Sequence, residues 1–172
     1  MFTIMHPLKG GGRKTSPFGP RTHPVTGEQG KLHNGLDIAA PEGTPVYAAA
    51  DGIVTVSSNG SITGLYVTVK HDVTSGGEQF GTDYLHLSRV DVTKGQQVKE
   101  GDQIGLVGTT GRSTGPHLHF NVQRYSPSRE WKDPDDYITR SEPRLVSIVL
   151  IGGTVTICCI ALILVAYKKK NL

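Results

Sequence analysis

Residues 145–167 read LVSIVLIGGTVTICCIALILVAY, 23 residues without one charged side chain. That run limits how everything ahead of it can fold. A helix needs about 20 apolar residues to cross a hydrocarbon core, so a single transmembrane helix is predicted here. A core helix of a soluble protein fits worse, because such helices keep a polar face over this length. Arg140 and Arg144 flank one end, Lys168, Lys169 and Lys170 the other, and Tyr167 takes the place of an interfacial aromatic. The three lysines favour a C-terminus on the cytoplasmic or interior side, by a narrow margin over two arginines. The lipid bilayer is thus an expected partner through residues 145–167. What precedes the run has room for one domain.

Charge narrows the reading further. All 15 acidic residues and 15 of the 18 basic ones lie ahead of the run, so the formal net charge of +3 belongs to Lys168, Lys169 and Lys170. No basic face remains to bind nucleic acid, and no nucleic-acid partner is expected. The two cysteines, Cys158 and Cys159, are adjacent within the apolar run. They read as apolar filler of the helix, with lipid attachment or an intermolecular bridge as the lesser alternative. The rest of the chain has no cysteine and so no thiolate metal site. Residues 1–19 hold no apolar stretch of the length a secretory signal needs, so none is expected.

Between residues 16 and 123 the chain is rich in glycine and in short β-type runs, at 44–49, 52–57, 65–70, 103–107 and 118–122. Turn dipeptides separate them, including Asn59-Gly60, Gly76-Gly77 and Lys94-Gly95. No segment ahead of residue 145 has the 3.6-residue apolar period of a helix. The pattern predicts a mainly β fold, a small antiparallel sheet domain. Residues 124–139 are more polar, yet Trp131, Tyr137 and Ile138 predict that they still pack on it. The expected organisation is an N-terminal extension (1–15), the domain (16–139), a linker (140–144), the transmembrane helix (145–167) and a basic tail (168–172). A linker that short would keep the domain close to the bilayer.

Chemistry concentrates in three separated signatures: His33-Asn34-Gly35-Leu36-Asp37, Tyr84-Leu85-His86-Leu87-Ser88 and His117-Leu118-His119. In a strand, side chains two apart share a face, so His117 and His119 project together if residues 116–122 are extended. His33 and Asp37 lie four apart across a glycine, where a turn entering a strand can converge both on one ion. Each signature alone is a weak signal. Together, histidines and a carboxylate suit zinc, whose catalytic sites use about three nitrogen or oxygen ligands and keep a place for water. A histidine left outside the ligand set titrates near its ordinary value of about 6.5 and can move protons. Of the remaining histidines, His71 is expected at a solvated strand end and His6 in a disordered start. His23 stands in the glycine-rich approach to His33.

At these residues the sequence resembles the lysostaphin/LytM-type zinc endopeptidases, which cut peptide cross-links or stems in bacterial peptidoglycan. The carrying stretches are Ser16-Pro17-Phe18-Gly19-Pro20-Arg21, HNGLDIAAPEGTPVYAAADGIV at 33–54, YLHLS at 84–88 and VKEGDQIGLVGTTGRSTGPHLHF at 98–120. The resemblance runs from about residue 16 to 138. It implies one zinc ion with His33, Asp37 and His119 as ligands. It implies His86 and His117 as catalytic histidines, acting as general base or stabilising the tetrahedral intermediate. The implied fold is a small antiparallel β domain with the site at the floor of a groove walled by loops. Asn121 departs from the glutamate common after His-Phe, and residues 72–82 are expected to shape one groove wall. Members that lose ligands act as binding regulators; here all five positions are filled.

Two functions follow as expectations. The first is a zinc metalloendopeptidase acting on peptidoglycan, with either a Gly-Gly bridge or a D-Ala–diaminopimelate cross-link as the bond cut. The second is a non-catalytic wall-binding or scaffold module on a membrane anchor. Topology adds a further expectation. A chain anchored only by its C-terminus would leave the domain in the cytoplasm, away from the wall. The internal membrane of a bacteriophage virion, from which the domain could open the wall during genome delivery, resolves that conflict. Translocation of the domain by its own apolar tail, into a bacterial cell envelope, is the other solution.

Overall fold

The computed structural model describes residues 2–22, 27–72, 77–125 and 128–139. Twelve short strands follow one another: β1 (Arg13–Ser16), β2 (Gly19–Arg21), β3 (Lys31–His33), β4 (Leu36–Ala39), β5 (Pro45–Tyr47), β6 (Gly52–Gly60), β7 (Gly64–His71), β8 (Phe80–Val90), β9 (Gln97–Val98), β10 (Gln103–Val107), β11 (His117–Arg124) and β12 (Glu130–Lys132). A single 3₁₀ turn, Pro134–Asp136, closes the described part, capped by the Asp133 side chain. Ten strands form one sheet in the order β1-β4-β11-β8-β7-β6-β9, with β10 on β8 and β5, and β12 on β11. β2 and β3 pair separately. Every pairing between these strands is antiparallel, so the mainly β, antiparallel reading holds.

Period-two alternation explains why β11 has a polar side and an apolar one. Along β11, Leu118, Phe120 and Val122 are fully buried in the core with Leu36, Ile38 and Tyr84. His117, His119, Asn121 and Gln123 take the alternate positions, and so the opposite face. The five β-type runs seen in the sequence each overlap a strand. β8 was not among them, although it pairs with β7, β10 and β11 and lies at the middle of the sheet. Its stretch FGTDYLHLSRV mixes polar and apolar residues, because Thr82, Asp83 and His86 are buried polar groups rather than solvated ones.

Two readings of single histidines are corrected. His71 does not lie at a solvated end: it is 2% exposed. Its Nδ1 donates to the Asp51 carbonyl at 2.8 Å, and its Nε2 meets the Thr82 hydroxyl at 2.9 Å. His6 does not lie in a disordered start. Ile4 and Leu8 beside it are 1% exposed, Phe2 stacks on Phe80 at 4.4 Å, and the Ile4 amide donates to the Tyr137 carbonyl at 3.0 Å. Residues 2–15 thus pack on the domain together with residues 137–139. His23, the linker, the predicted transmembrane run with Cys158 and Cys159, and the basic tail lie outside the described residues. Among the described residues no helix is long and apolar enough to cross a membrane.

Candidate metal centre

Register brings the first and third signatures together. Asp37 on β4 stands directly opposite His119 on β11 and Ser16 on β1. The turn at Asn34-Gly35 brings His33, the last residue of β3, back over β4. Three donor atoms converge as a result. His119 Nδ1 is 2.7 Å from Asp37 Oδ1, His33 Nε2 is 3.2 Å from the same oxygen, and the two imidazole nitrogens are 3.1 Å apart. All three residues are buried. His33 Nδ1 donates to the Pro17 carbonyl at 2.7 Å, which leaves Nε2 with its lone pair. The centre is therefore acceptor-rich.

That donor set fits a divalent cation. Two imidazole nitrogens and one carboxylate oxygen are ordinary zinc ligands, and second contacts orient His33 and Asp37. Asp37 is itself held in place. Its Oδ2 takes a salt bridge from Arg21 Nη1 at 3.2 Å, and Arg21 also donates to Ser16 Oγ. Burial pushes the Asp37 carboxyl up, but hydrogen bonds and charge from His119 and His33 outweigh it and hold the group well below the usual carboxylate range. Arg21 was quoted in the sequence only as part of a motif. Its role depends on a contact between β2 and β4 that no local pattern reveals.

The other two histidines stand beside this cluster without joining it. The ring centroids of His86 and His117 are 4.8 Å apart, and His86 lies 6.0 Å from His119. His117 Nε2 is 3.7 Å from Asp37 Oδ1. Its Nδ1 is fixed by the Gly115 carbonyl at 2.8 Å and Ser113 Oγ at 3.2 Å. His86 is the one non-glycine residue with positive φ among the described residues, at 63°. Its amide donates to the Thr63 carbonyl and its Nδ1 to the Thr110 carbonyl, at 2.9 and 2.8 Å. The ladders of β8 with β7 and β10 both shift register beside it. Strain of this kind persists only where surroundings over-determine it. Burial lowers the His86 pKa to about 4, with the neighbouring His117 and His119 adding to the effect. The imidazole is therefore neutral at neutral pH.

These groups line a cleft of about 290 Å³. Leu32 and Ile62, two of the exposed large apolar residues among those described, form part of its walls. The five residues singled out in the sequence are thus all in one cleft: three in mutual contact, two adjacent.

An antiparallel β domain with a His-Asp-His centre and two further histidines defines a class of metallopeptidase. Residues 31–133 match peptidase family M23, and the chain belongs to that family. It is 47% identical over 118 residues to the peptidoglycan DD-endopeptidase ShyA of Vibrio cholerae, covering 68% of this chain and 26% of that one. The DD-carboxypeptidase/endopeptidase Mpg of Neisseria meningitidis is 46% identical over 111 residues, covering 64% of this chain and 24% of that one. The chain therefore spans about a quarter of the length of these relatives. Among solved structures, a zinc-containing peptidase from Vibrio cholerae superposes with a TM-score of 0.64 at 42% identity, covering 75% of this chain and 39% of the other. The catalytic domain of lysostaphin from Staphylococcus simulans gives 0.63 at 31% identity, covering 76% and 93%.

Proposed function

We propose that this protein is a zinc-dependent endopeptidase that hydrolyses peptide bonds in bacterial peptidoglycan. The observation that carries the proposal is the convergence of His33, Asp37 and His119 beside a neutral, buried His86. His33 Nε2, Asp37 Oδ1 and His119 Nδ1 would hold one ion. When bound, a zinc ion supplies Lewis acidity at the scissile carbonyl and lowers the pKa of water. The residues of the chain do the rest. Arg21 fixes the Asp37 carboxylate, and the Pro17 carbonyl fixes the His33 tautomer. With Nδ1 committed to Thr110, His86 offers Nε2 to accept a proton from the attacking water. His117, with Nδ1 committed to Gly115, presents Nε2 beside it, to hold the oxyanion once protonated or to return a proton to the leaving amine. Intact donors in all three ligand positions favour this reading over a wall-binding scaffold. ShyA, by name a peptidoglycan DD-endopeptidase, favours the same substrate.

The organisation proposed is an endopeptidase domain over residues 16–139, a linker at 140–144 and a membrane anchor at 145–167. The location proposed is the internal membrane of a phage virion, with a bacterial cell envelope as the other solution to the topology. The length and lack of charge of residues 145–167 support the anchor. The enzymatic proposal is tested by incubating the full chain with purified cell walls and following turbidity. Wild type is expected to clear the suspension, and His119→Ala to lose both clearing and zinc retention. Co-sedimentation with walls that stay turbid would establish the scaffold instead. For the anchor, the full chain is expected to float with liposomes and a chain ended at residue 144 to stay behind. Recovery from purified virions tests the location; absence there would move the protein to the cell envelope.

A further inference from the structure

The face of β11 that carries His117 and His119 continues to Asn121 and Gln123. At about 3.3 Å per residue these lie about 7 and 13 Å along the strand from His119. Register extends the row across the sheet, with Asn121 opposite Asp83 and Asp83 opposite Thr68. The row floors a second groove of about 620 Å³, which shares Asn34, Thr63 and Leu85 with the metal cleft. The two spaces are therefore neighbours, sharing a wall. The chemistry described above uses none of the polar groups of the second.

Its floor is short of hydrogen-bond donors. Asp83 is 6% exposed, and no cation pairs with it among the described residues. It accepts from Thr68 Oγ1 at 2.7 Å, from Asn121 Nδ2 at 3.3 Å and from Gln123 Nε2. A carboxylate offers about four lone-pair sites, so about one remains for a donor arriving from the groove. Asn121 is 2% exposed and its Oδ1 has no donor at all. The rim has the opposite character. Arg129 Nε donates to Gln123 Oε1 at 3.0 Å, and its guanidinium lies over Tyr125 and Trp131, at 5.8 and 6.0 Å from the ring centroids. Lys70 Nζ stands 5.9 Å from the Tyr125 centroid. The neutral Gln123 amide thus bridges a buried acid below and an exposed guanidinium above.

We infer that this second groove binds a side-chain terminus bearing both an ammonium and a carboxylate, on the peptide arm that precedes the scissile bond. The ammonium meets Asp83, and the carboxylate meets Arg129 and Lys70. The inference rests on the peptidoglycan reading above and sharpens it. The free end of diaminopimelate is such a terminus, whereas a lysine end carries the ammonium alone. Charge at both ends, set apart by one amide, therefore selects diaminopimelate-type walls. The distance along β11 matches one extended residue plus one long side chain counted back from the metal centre.

The test is steady-state kinetics of the full chain in detergent, on soluble muropeptide dimers joined by a D-Ala–diaminopimelate bond. The free diaminopimelate end is left intact, N-acetylated or carboxamidated. Wild type is expected to show a KM about tenfold higher for each blocked dimer, the scale of one charge-assisted contact, with the effect on KM rather than kcat. K70Q/R129Q, at two exposed positions, should lose discrimination against the amidated dimer and keep it against the acetylated one. Asp83→Asn should do the reverse, and the surface pair stands by itself if that buried change unfolds the chain. Equal KM for the three dimers in wild type, or a loss in K70Q/R129Q that is the same for all three, overturns the inference while leaving the peptidase reading intact. Failure of wild type to cleave any dimer removes that reading and this inference with it.

Discussion

His86 sits at φ 63° inside a strand, and at that residue function and stability pull in opposite directions. The left-handed region suits glycine and strains other side chains. Replacing the imidazole by alanine removes the proposed proton acceptor and keeps the strain, while glycine removes both. His86→Gly is therefore expected to be more stable than His86→Ala by about 1 kcal/mol in urea unfolding. Both should clear walls at least about 100-fold more slowly than wild type, the usual scale of a lost acid–base group. Equal stability of the two variants would remove the strain argument. The YLHLS stretch made His86 visible in the sequence, but its backbone conformation has no compositional signal when the residue is not glycine. Arg21 was hidden for a different reason: its partner, Asp37, is reached across two separate strand pairs.

Between β3 and β4 the chain turns at Gly35, where two elements and the metal centre meet. A Cβ there would lie 2.1 Å from Asn121 Oδ1, 2.6 Å from the Phe120 carbonyl and 2.9 Å from His119 Nε2. The first and last of these are side chains on the face of β11 that carries the site, and the second is backbone, so β11 would have to move away from β4. Gly35→Ala is therefore expected to lower zinc content per chain after gel filtration well below wild type. Retention of a full equivalent would contradict the account of how β4 and β11 frame the site. At this scale turn dipeptides and β-type runs made several strands legible, and the two-residue spacing placed His117 and His119 on one face. β8 was missed because its alternate positions carry buried polar groups in place of solvated ones. Pairing of β4, β8 and β11 is a tertiary choice that local pattern does not encode.

Across the whole molecule, burial keeps several histidines neutral. Desolvation lowers the pKa of His71 from 6.5 despite the hydrogen bond to Asp51, lowers that of His6, and brings His86 to about 4. The unfolded chain binds protons at these positions below pH 6.5 while the folded chain does not. Their contribution to stability is thus complete above about pH 6.5 and declines as pH falls toward 4. Thermal melts of the zinc-free chain should show Tm falling over that window, and His71→Gln should flatten part of the fall. A Tm unchanged between pH 7 and 4.5 would contradict the neutral, buried assignment. The fold class and the site were legible at this scale because glycine, turn and histidine signatures cover most of the domain. The packing of residues 2–15 was not, since Ile4 and Leu8 are isolated apolar residues whose burial depends on partners such as Tyr137, more than a hundred residues away. The central claim is that His33, Asp37 and His119 hold a metal ion needed to cut peptide bonds in the wall. Mass spectrometry of fragments released from purified peptidoglycan by the zinc-loaded full chain tests it most directly, with His119→Ala alongside. The account predicts new peptide ends with intact glycan from wild type and none from the variant; cut glycan, or equal peptide release by both, would contradict it.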